Sequence, residues 1–312
     1  GRGRSLMAVV LGLAPVFAII LLGYLLRRRA SVPDSFWPAA EQMTFYLFFP
    51  ALLLTNTVQA NFAAQSLGGM VGAVVSAVLI VVALTIAVAR VLKLDGPATS
   101  SLIQSAIRPN VYVATATAVA LAGDPGLIAV SLCIAVIVPL VNVISVVALI
   151  RCAAPGSAPP AGFAPVALSI ARNPLILACL GGLTLNALAV PLPPVLGPLL
   201  QILARAALPL GLLAVGAGLD LQASRRAGPA VLAAAGLKLV TLPLITLALC
   251  SAFDLTGVPR LIAIMFAGLP ISASAYVMAR QMGGNAPMLA SAITATTIGA
   301  AVTMPLLLAA IG

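Results

Sequence analysis

The chain has 312 residues, of which 62% are hydrophobic and 7% charged, and its mean hydropathy is +1.20. A soluble domain of this length has no interior large enough for so much apolar surface, so a polytopic membrane protein is expected. The formal charge of +10 raises nucleic acid as a partner, but the cations sit as membrane-flanking charges rather than as one basic patch, and no nucleic acid is expected.

Ten apolar segments follow one another, with cores near 7–26, 37–58, 67–89, 97–121, 126–150, 164–187, 193–219, 228–251, 258–280 and 286–311. Each is long enough to cross roughly 30 Å of hydrocarbon as a helix. The runs are continuously apolar rather than alternating, which excludes a transmembrane β-barrel. Segment one is too long for a cleaved signal peptide and runs straight into Arg27, Arg28 and Arg29. These cations, with Arg90, Lys93, Arg151, Arg225, Arg226 and Arg280, fall in or beside odd-numbered connections, whereas the even-numbered ones hold Arg260 alone. The positive-inside rule then puts odd connections in the cytoplasm and both termini outside, periplasmic in a bacterial inner membrane. Arg2 and Arg4 point weakly the other way, but they precede the first methionine, Met7, and read either as native or as a remnant foreign to the natural chain.

Segment two carries Phe48-Phe49-Pro50, then a polar strip of Thr55, Asn56 and Gln59, with Glu41 near its cytoplasmic end. The strip reads either as pocket lining or as polar contacts between helices. Gly68, Gly69 and Gly72 in segment three, and Gly181, Gly182, Gly216 and Gly218 further on, are read as close-packing positions.

Segment four is interrupted at Gln104-Ser-Ala-Ile-Arg108-Pro109-Asn110-Val-Tyr112. Proline in mid-helix removes a donor and clashes with the preceding turn, and a bilayer tolerates that only where the freed groups face protein or a wet cavity. The helix that restarts presents a partly positive N-terminus, which favours anions. Arg108 adds a cation whose donor fork suits a carboxylate, and Asn110 adds a neutral donor and acceptor. An anion pocket near the bilayer midplane is one reading; an Arg108 that pairs with Asp220 or a backbone carbonyl and only braces the break is the other.

A stretch rich in Pro, Ala and Gly over 151–165 separates segments five and six. Five segments precede it and five follow. Five is odd, so the second set enters the membrane from the opposite side. Helix breakers repeat across the divide: Pro15, Gly23 and Pro50 recur as Pro174, Gly182 and Pro209 at a shift of 159, and Pro109 and Gly123 recur as Pro270 and Gly284 at a shift of 161. The expected architecture is an inverted repeat with paired interruptions, the best pointer in a sequence to a transporter's binding site.

The second half supplies Ala207-Leu208-Pro209 and the ionisable Arg205 and Asp220 in or near segment seven, and Lys238 in segment eight. Asp220 or Glu41 could act as a proton or cation site; Asp220 reads equally as counter-ion to Arg108, Lys238 or Arg225, and Lys238 as a stand-in for a bound cation. Segment nine is interrupted at Gly268-Leu269-Pro270-Ile271-Ser272-Ala-Ser274-Ala-Tyr276, where the serines can bond the freed backbone or a substrate oxygen. Asn142 in segment five and Ser291, Thr294, Thr296 and Thr297 in segment ten are further polar positions. Cys133, Cys152, Cys179 and Cys250 have no metal or disulfide spacing, and the chain has no histidine. No nucleotide-binding motif appears, so neither a cofactor, a metal nor direct ATP drive is expected, and the chain is not read as an enzyme.

Three stretches resemble the auxin efflux carrier family: Leu13-Ala-Pro15 through Gly23-Tyr24 with its arginine run, the Arg108-Pro109-Asn110 break, and Pro270-Ile-Ser-Ala-Ser-Ala-Tyr276-Val-Met-Ala-Arg280-Gln281-Met-Gly283-Gly284. The family includes plant PIN-type carriers and bacterial carriers of malonate and malate. The resemblance implies an all-α protein of ten transmembrane helices in two inverted five-helix repeats, similar to sodium/proton antiporters. It implies a scaffold from 1–62 and 152–224 (helices one, two, six and seven with the linker). The transport domain would be 63–151 and 225–312, with helices four and nine crossing at their prolines. It further implies elevator-type alternating access and a homodimer through the scaffold. In plant carriers the first break resembles Asn-Pro-Asn; here Arg108 takes the first position, which suits a small carboxylate better than an auxin-like acid. The expected substrate set is Arg108, Pro109, Asn110, Tyr112, Pro270, Ser272, Ser274, Tyr276, Thr55 and Asn56, with Asp220, Lys238 and Glu41 as coupling or charge partners. A small organic anion and the bilayer are the expected partners, and an anion channel or a non-transporting sensor is the alternative to a carrier.

Overall fold

A computed structural model describes residues 6–59, 67–152, 171–224 and 228–311, with position 168. Arg2, Arg4, Arg225, Arg226 and most of the 151–165 stretch lie outside the described residues. Among those described there is no strand, only one isolated bridge between two residues. Six helices are long and apolar enough to cross a membrane, and two shorter apolar helices accompany them. The protein is therefore an all-helical, multi-pass membrane protein.

The helices are α1 (Leu6–Arg28), α2 (Phe36–Met43), α3 (Phe49–Val58), α4 (Leu67–Val91), α5 (Gly96–Ile107), α6 (Val111–Arg151) and α7 (Pro174–Ala187). They continue as α8 (Leu196–Ala217), α9 (Leu221–Ser224), α10 (Pro229–Gly236), α11 (Leu242–Ala252), α12 (Gly257–Ala267), α13 (Ser274–Met282) and α14 (Ala286–Ile311). Two π-turns, Thr44–Phe48 and Leu237–Thr241, join α2 to α3 and α10 to α11. Each stands just ahead of a proline, Pro50 or Pro243. A proline ring collides with the carbonyl four residues back, here Tyr46 or Leu239, and a widened turn moves that carbonyl aside. Pro209, which shares Pro50's place in the repeat, sits in α8 without such a turn.

At 41 residues α6 would be about twice the bilayer's thickness if straight. It is not straight, because Gly123 has φ 57° and ψ −141°, a conformation open essentially to glycine alone. A Cβ at Gly126 would touch the carbonyl of Ala118. Eight residues apart in a straight helix means about 12 Å, so the chain doubles back here and α6 is two limbs, 111–122 and 124–151. The repeat register pairs Gly123 with Gly284, and there the expectation fails by one residue. Gly283 takes the positive φ of 78°, closing α13. Gly284 is a packing position instead, where a Cβ would stand 2.9 Å from Ala279 Cβ and 3.1 Å from Ser101 Oγ.

Helices in lipid gain no hydrophobic drive from one another, so they associate where small residues admit close backbones. α1 lies along α8, and α3 along α7 and α8. A Cβ on Gly23 would strike the Leu213 backbone, and one on Gly182 would strike Thr57 and the Leu54 carbonyl. Gly23 and Gly182 differ by 159, and so do their partners Leu54 and Leu213. Gly216 meets the Ile20 carbonyl in the same way, while Gly69 and Gly72 face the Phe253 ring; Gly68 has nothing near it. A second set of contacts joins α4 to α5 and α11, α6 to α5 and α12, and α14 to α10 and α5. Leu102, Ile107, Ile134 and Phe266 are buried within it.

Candidate functional site

α5 starts on the Asp95 side chain, which accepts the Ala98 N–H at 2.8 Å, and stops at Arg108 with φ −80° and ψ 111°. The stop is dictated locally, because a residue before proline is pushed out of the helical region and Pro109 has no N–H to offer. Asn110 is extended too, and its Oδ1 accepts from Tyr112 N at 3.1 Å and Val113 N at 3.2 Å to restart the chain as α6. In the other half α12 ends at Ala267, capped by Gly268, and α13 begins at Ser274.

The two interruptions meet. Pro109 and Ile271 form an antiparallel bridge in which Asn110 N–H donates to the Pro270 carbonyl at 3.0 Å and Ser272 N–H to the Arg108 carbonyl at 3.3 Å. Each break thus supplies partners for backbone groups that the other leaves outside any helix, which is what burial at membrane depth requires. A third donor, Ile271 N–H, is taken by Thr296 Oγ1 of α14 at 3.2 Å.

Arg108 is 6% exposed. Its Nη2 donates to Ser274 Oγ at 2.9 Å and its Nη1 lies 3.3 Å from Met278 Sδ. Ser274 Oγ is also 2.9 Å from Ser272 Oγ. Ser274 is exposed and Ser272 half-buried, so a hidden guanidinium reaches an open face through the serine pair. Of its five donors, two have protein partners. Arg27 with Asp34, at 3.2 Å, makes up the ion pairs among the described residues, so Arg108 has no carboxylate beside it. The expected alternative of an Arg108–Asp220 pair is absent: the Asp220 carboxylate accepts from Gln222 N at 3.0 Å, and its N–H donates to Thr294 Oγ1 at 3.0 Å.

The remaining predicted residues divide. Tyr112 packs edge-on against Phe49 of α3, ring centroids 4.8 Å apart, and fills the space left by Gly211 of α8. Tyr276 lies under Arg280, whose guanidinium carbon is 5.9 Å from the ring centre. Thr55 and Asn56 turn back on their own helix, donating to Ala51 O at 2.8 Å and Leu52 O at 2.6 Å, so their side-chain bonds neither link helices nor reach the breaks. Asp220, Glu41 and Arg205 are exposed rather than buried: Glu41 and Arg205 lie on outward faces of α2 and α8, and Asp220 stands in the connection between α8 and α9. Lys238, in the π-turn before α11, is 1% exposed and has no ion pair among the described residues.

Sequence reading gave no individual role to Met278, Phe49 or Gly211, and took Thr296 only as one of several polar residues in segment ten. It also passed over Gln104, which is fully buried one turn before Arg108 with both amide atoms unpartnered. An amide in so apolar a helix was the available signal.

The sequence model of the membrane transport protein family matches residues 8–157 and 163–308. Among curated proteins no relative is detectably similar. Nearly the whole chain is matched, spanning α1 to α14 and both breaks, and the resemblance first seen in three motifs extends across it. The chain belongs to the membrane transport protein family, that of the auxin efflux carriers, whose members are transporters.

Proposed function

We propose that this transporter is a secondary carrier of small organic anions, carboxylates of the size of malonate and malate, which it binds beside the junction of the two breaks. One observation carries the reading: Arg108 is a buried cation without a carboxylate partner among the described residues, and it is connected to the exposed Ser274. A charge at that depth is costly unless something neutralises it, and a substrate carboxylate meets the unused donors of a guanidinium fork. Ser272 and Ser274 would orient the anion. Asn110 keeps only its amide nitrogen for substrate, since its oxygen is committed to the α6 cap. Pro109 and Pro270 would hold the breaks open, with Tyr112 and Tyr276 flanking them.

We further propose ten membrane helices in two inverted repeats, with α5 and the first limb of α6 crossing α12 and α13. The shift of 159 shared by the Gly23–Leu213 and Gly182–Leu54 contacts supports this. The association of α1, α2, α3, α7 and α8 supports a scaffold of 1–62 and 152–224, against which 63–151 and 225–312 move as an elevator. Tyr112 packed on Phe49 and Gly211 would lie on that sliding surface. A homodimer through the scaffold, a bacterial inner-membrane location and periplasmic termini complete the proposal.

The test is counterflow in proteoliposomes. Protein loaded with unlabelled malonate or malate is expected to accumulate the labelled anion transiently, saturably, and without net current through an open pore. Conductance that rises without saturation would replace the carrier with an anion channel, and neither counterflow nor conductance would leave a sensor.

A further inference from the structure

The C-terminal ends of α4 and α6 and the middle of α5 line a cavity of about 830 Å³ that contains none of the residues at the junction. This falls within the roughly 300–1,000 Å³ of ordinary ligand pockets. Three exposed cations line it, Arg90 from the last turn of α4, Lys93 two residues beyond that helix and Arg151 from the end of α6. Ile86 and Val147 stand one helical turn deeper than Arg90 and Arg151, on the same faces, and buried Ile103 of α5 completes an aliphatic wall.

The cations are not neutralised by protein. None takes part in an ion pair among the described residues. Asp95, the carboxylate next in the chain, is engaged at the start of α5 by the Ala98 N–H. Helix C-termini attract cations, which accounts for Arg90 and Arg151 singly but not for three cations on one apolar trough. The positive-inside rule likewise asks for cations in a connection, not for their convergence on a cavity.

We propose that this groove binds a membrane phospholipid with an anionic headgroup, the phosphate on Arg90, Lys93 and Arg151 and one acyl chain against Ile86, Ile103 and Val147. Charge above and hydrocarbon below match that molecule and no soluble anion. Basic pockets between membrane helices are where such headgroups are held. The seated lipid clamps α4, α5 and α6, and α5 is the helix that ends at Arg108, so occupancy stabilises the folded state by mass action.

The experiment is thermal unfolding of the whole protein in neutral detergent with added phosphatidylglycerol or phosphatidylcholine of identical chains. Bound lipid is counted in parallel by native mass spectrometry. Phosphatidylglycerol is expected to raise Tm and phosphatidylcholine is not. The Arg90→Gln/Lys93→Gln/Arg151→Gln protein loses that rise, while Arg29→Gln/Arg172→Gln/Arg205→Gln, with the same charge removed elsewhere, keeps it. Val147→Trp, which fills the trough with its cations intact, also loses the rise and decides the matter should the triple variant not fold. Equal stabilisation by both lipids, a full rise in the triple variant or in Val147→Trp, or the same rise from glycerol phosphate alone would each overturn the assignment; the last would make it a site for soluble phosphate.

Discussion

Arg108→Ala separates a binding role from a structural one, because the two make opposite demands on stability. In the unliganded protein the change removes a charged hydrogen bond to Ser274, worth about 1.5–3 kcal/mol. It also removes a cation that is 6% exposed and lacks a carboxylate partner, whose desolvation costs several kcal/mol. These effects oppose each other, so the unliganded Tm is expected to stay level or rise. With a dicarboxylate present the balance reverses. A desolvated charge pair lost from one side costs about 2–5 kcal/mol, which is about 30- to 4,000-fold in Kd. Arg108→Lys keeps the charge but not the planar fork, and should fall between the two. The assay is malonate- and malate-dependent thermal shift on all three proteins, followed by counterflow. Dicarboxylate affinity within about threefold of wild type in Arg108→Ala would refute the reasoning. A collapse of unliganded Tm with binding retained would refute it too, by making Arg108 a brace.

Thr296→Val leaves the buried Ile271 N–H without its acceptor and should lower unfolding stability by about 1–3 kcal/mol. Thr297→Val, whose hydroxyl serves only its own helix, should fall well short of that in the same chemical-denaturation experiment. Gly123→Ala meets no steric neighbour, so any loss of Tm reports backbone strain alone, about 1–3 kcal/mol for a side chain at φ 57°. Gly216→Ala drives a methyl into the Ile20 carbonyl and should cost about 1–3 kcal/mol. Gly68→Ala has open space around it and should be neutral or stabilising by up to about 1 kcal/mol. Equal melting temperatures for those two variants would contradict the α1–α8 packing.

Some of this was readable because it is written in covalent chemistry. Proline removes a helix donor whatever surrounds it, and Pro109 and Pro270, each followed by polar residues, marked the interruptions; Pro15, Pro139, Pro209 and Pro305 stay inside helices, so proline by itself does not decide where one breaks. Apolar length marks membrane segments, since no other solvent accepts them. The repeat register also carried three-dimensional information: Gly23 and Gly182 proved to be contact points whose partners obey the same shift. The register failed where conformation, not composition, decides. Of the adjacent Gly283 and Gly284, neighbours in space chose which one turns the chain.

Side-chain direction was the least legible. Thr55 and Asn56 read as a polar strip, yet a hydroxyl or amide four residues from a carbonyl of its own helix has a partner already in reach. Asp220 read as a carboxylate at the end of an apolar segment, but α8 stops at Ala217 and leaves Asp220 exposed in the connection to α9, a helix end that mean hydropathy does not fix.

By itself the sequence determined that this is a helical membrane protein with two matched interruptions, one of which carries Arg108 and Asn110 and the other serines. Composition and proline chemistry act locally and need no partner. Only the tertiary structure decided that the interruptions hydrogen-bond to each other, that Thr296 completes their pairing, and that Arg108 turns to Ser274 rather than to Asp220. These are contacts between residues more than 20 positions apart, and they follow from which groups a closed, water-poor interior leaves unsatisfied.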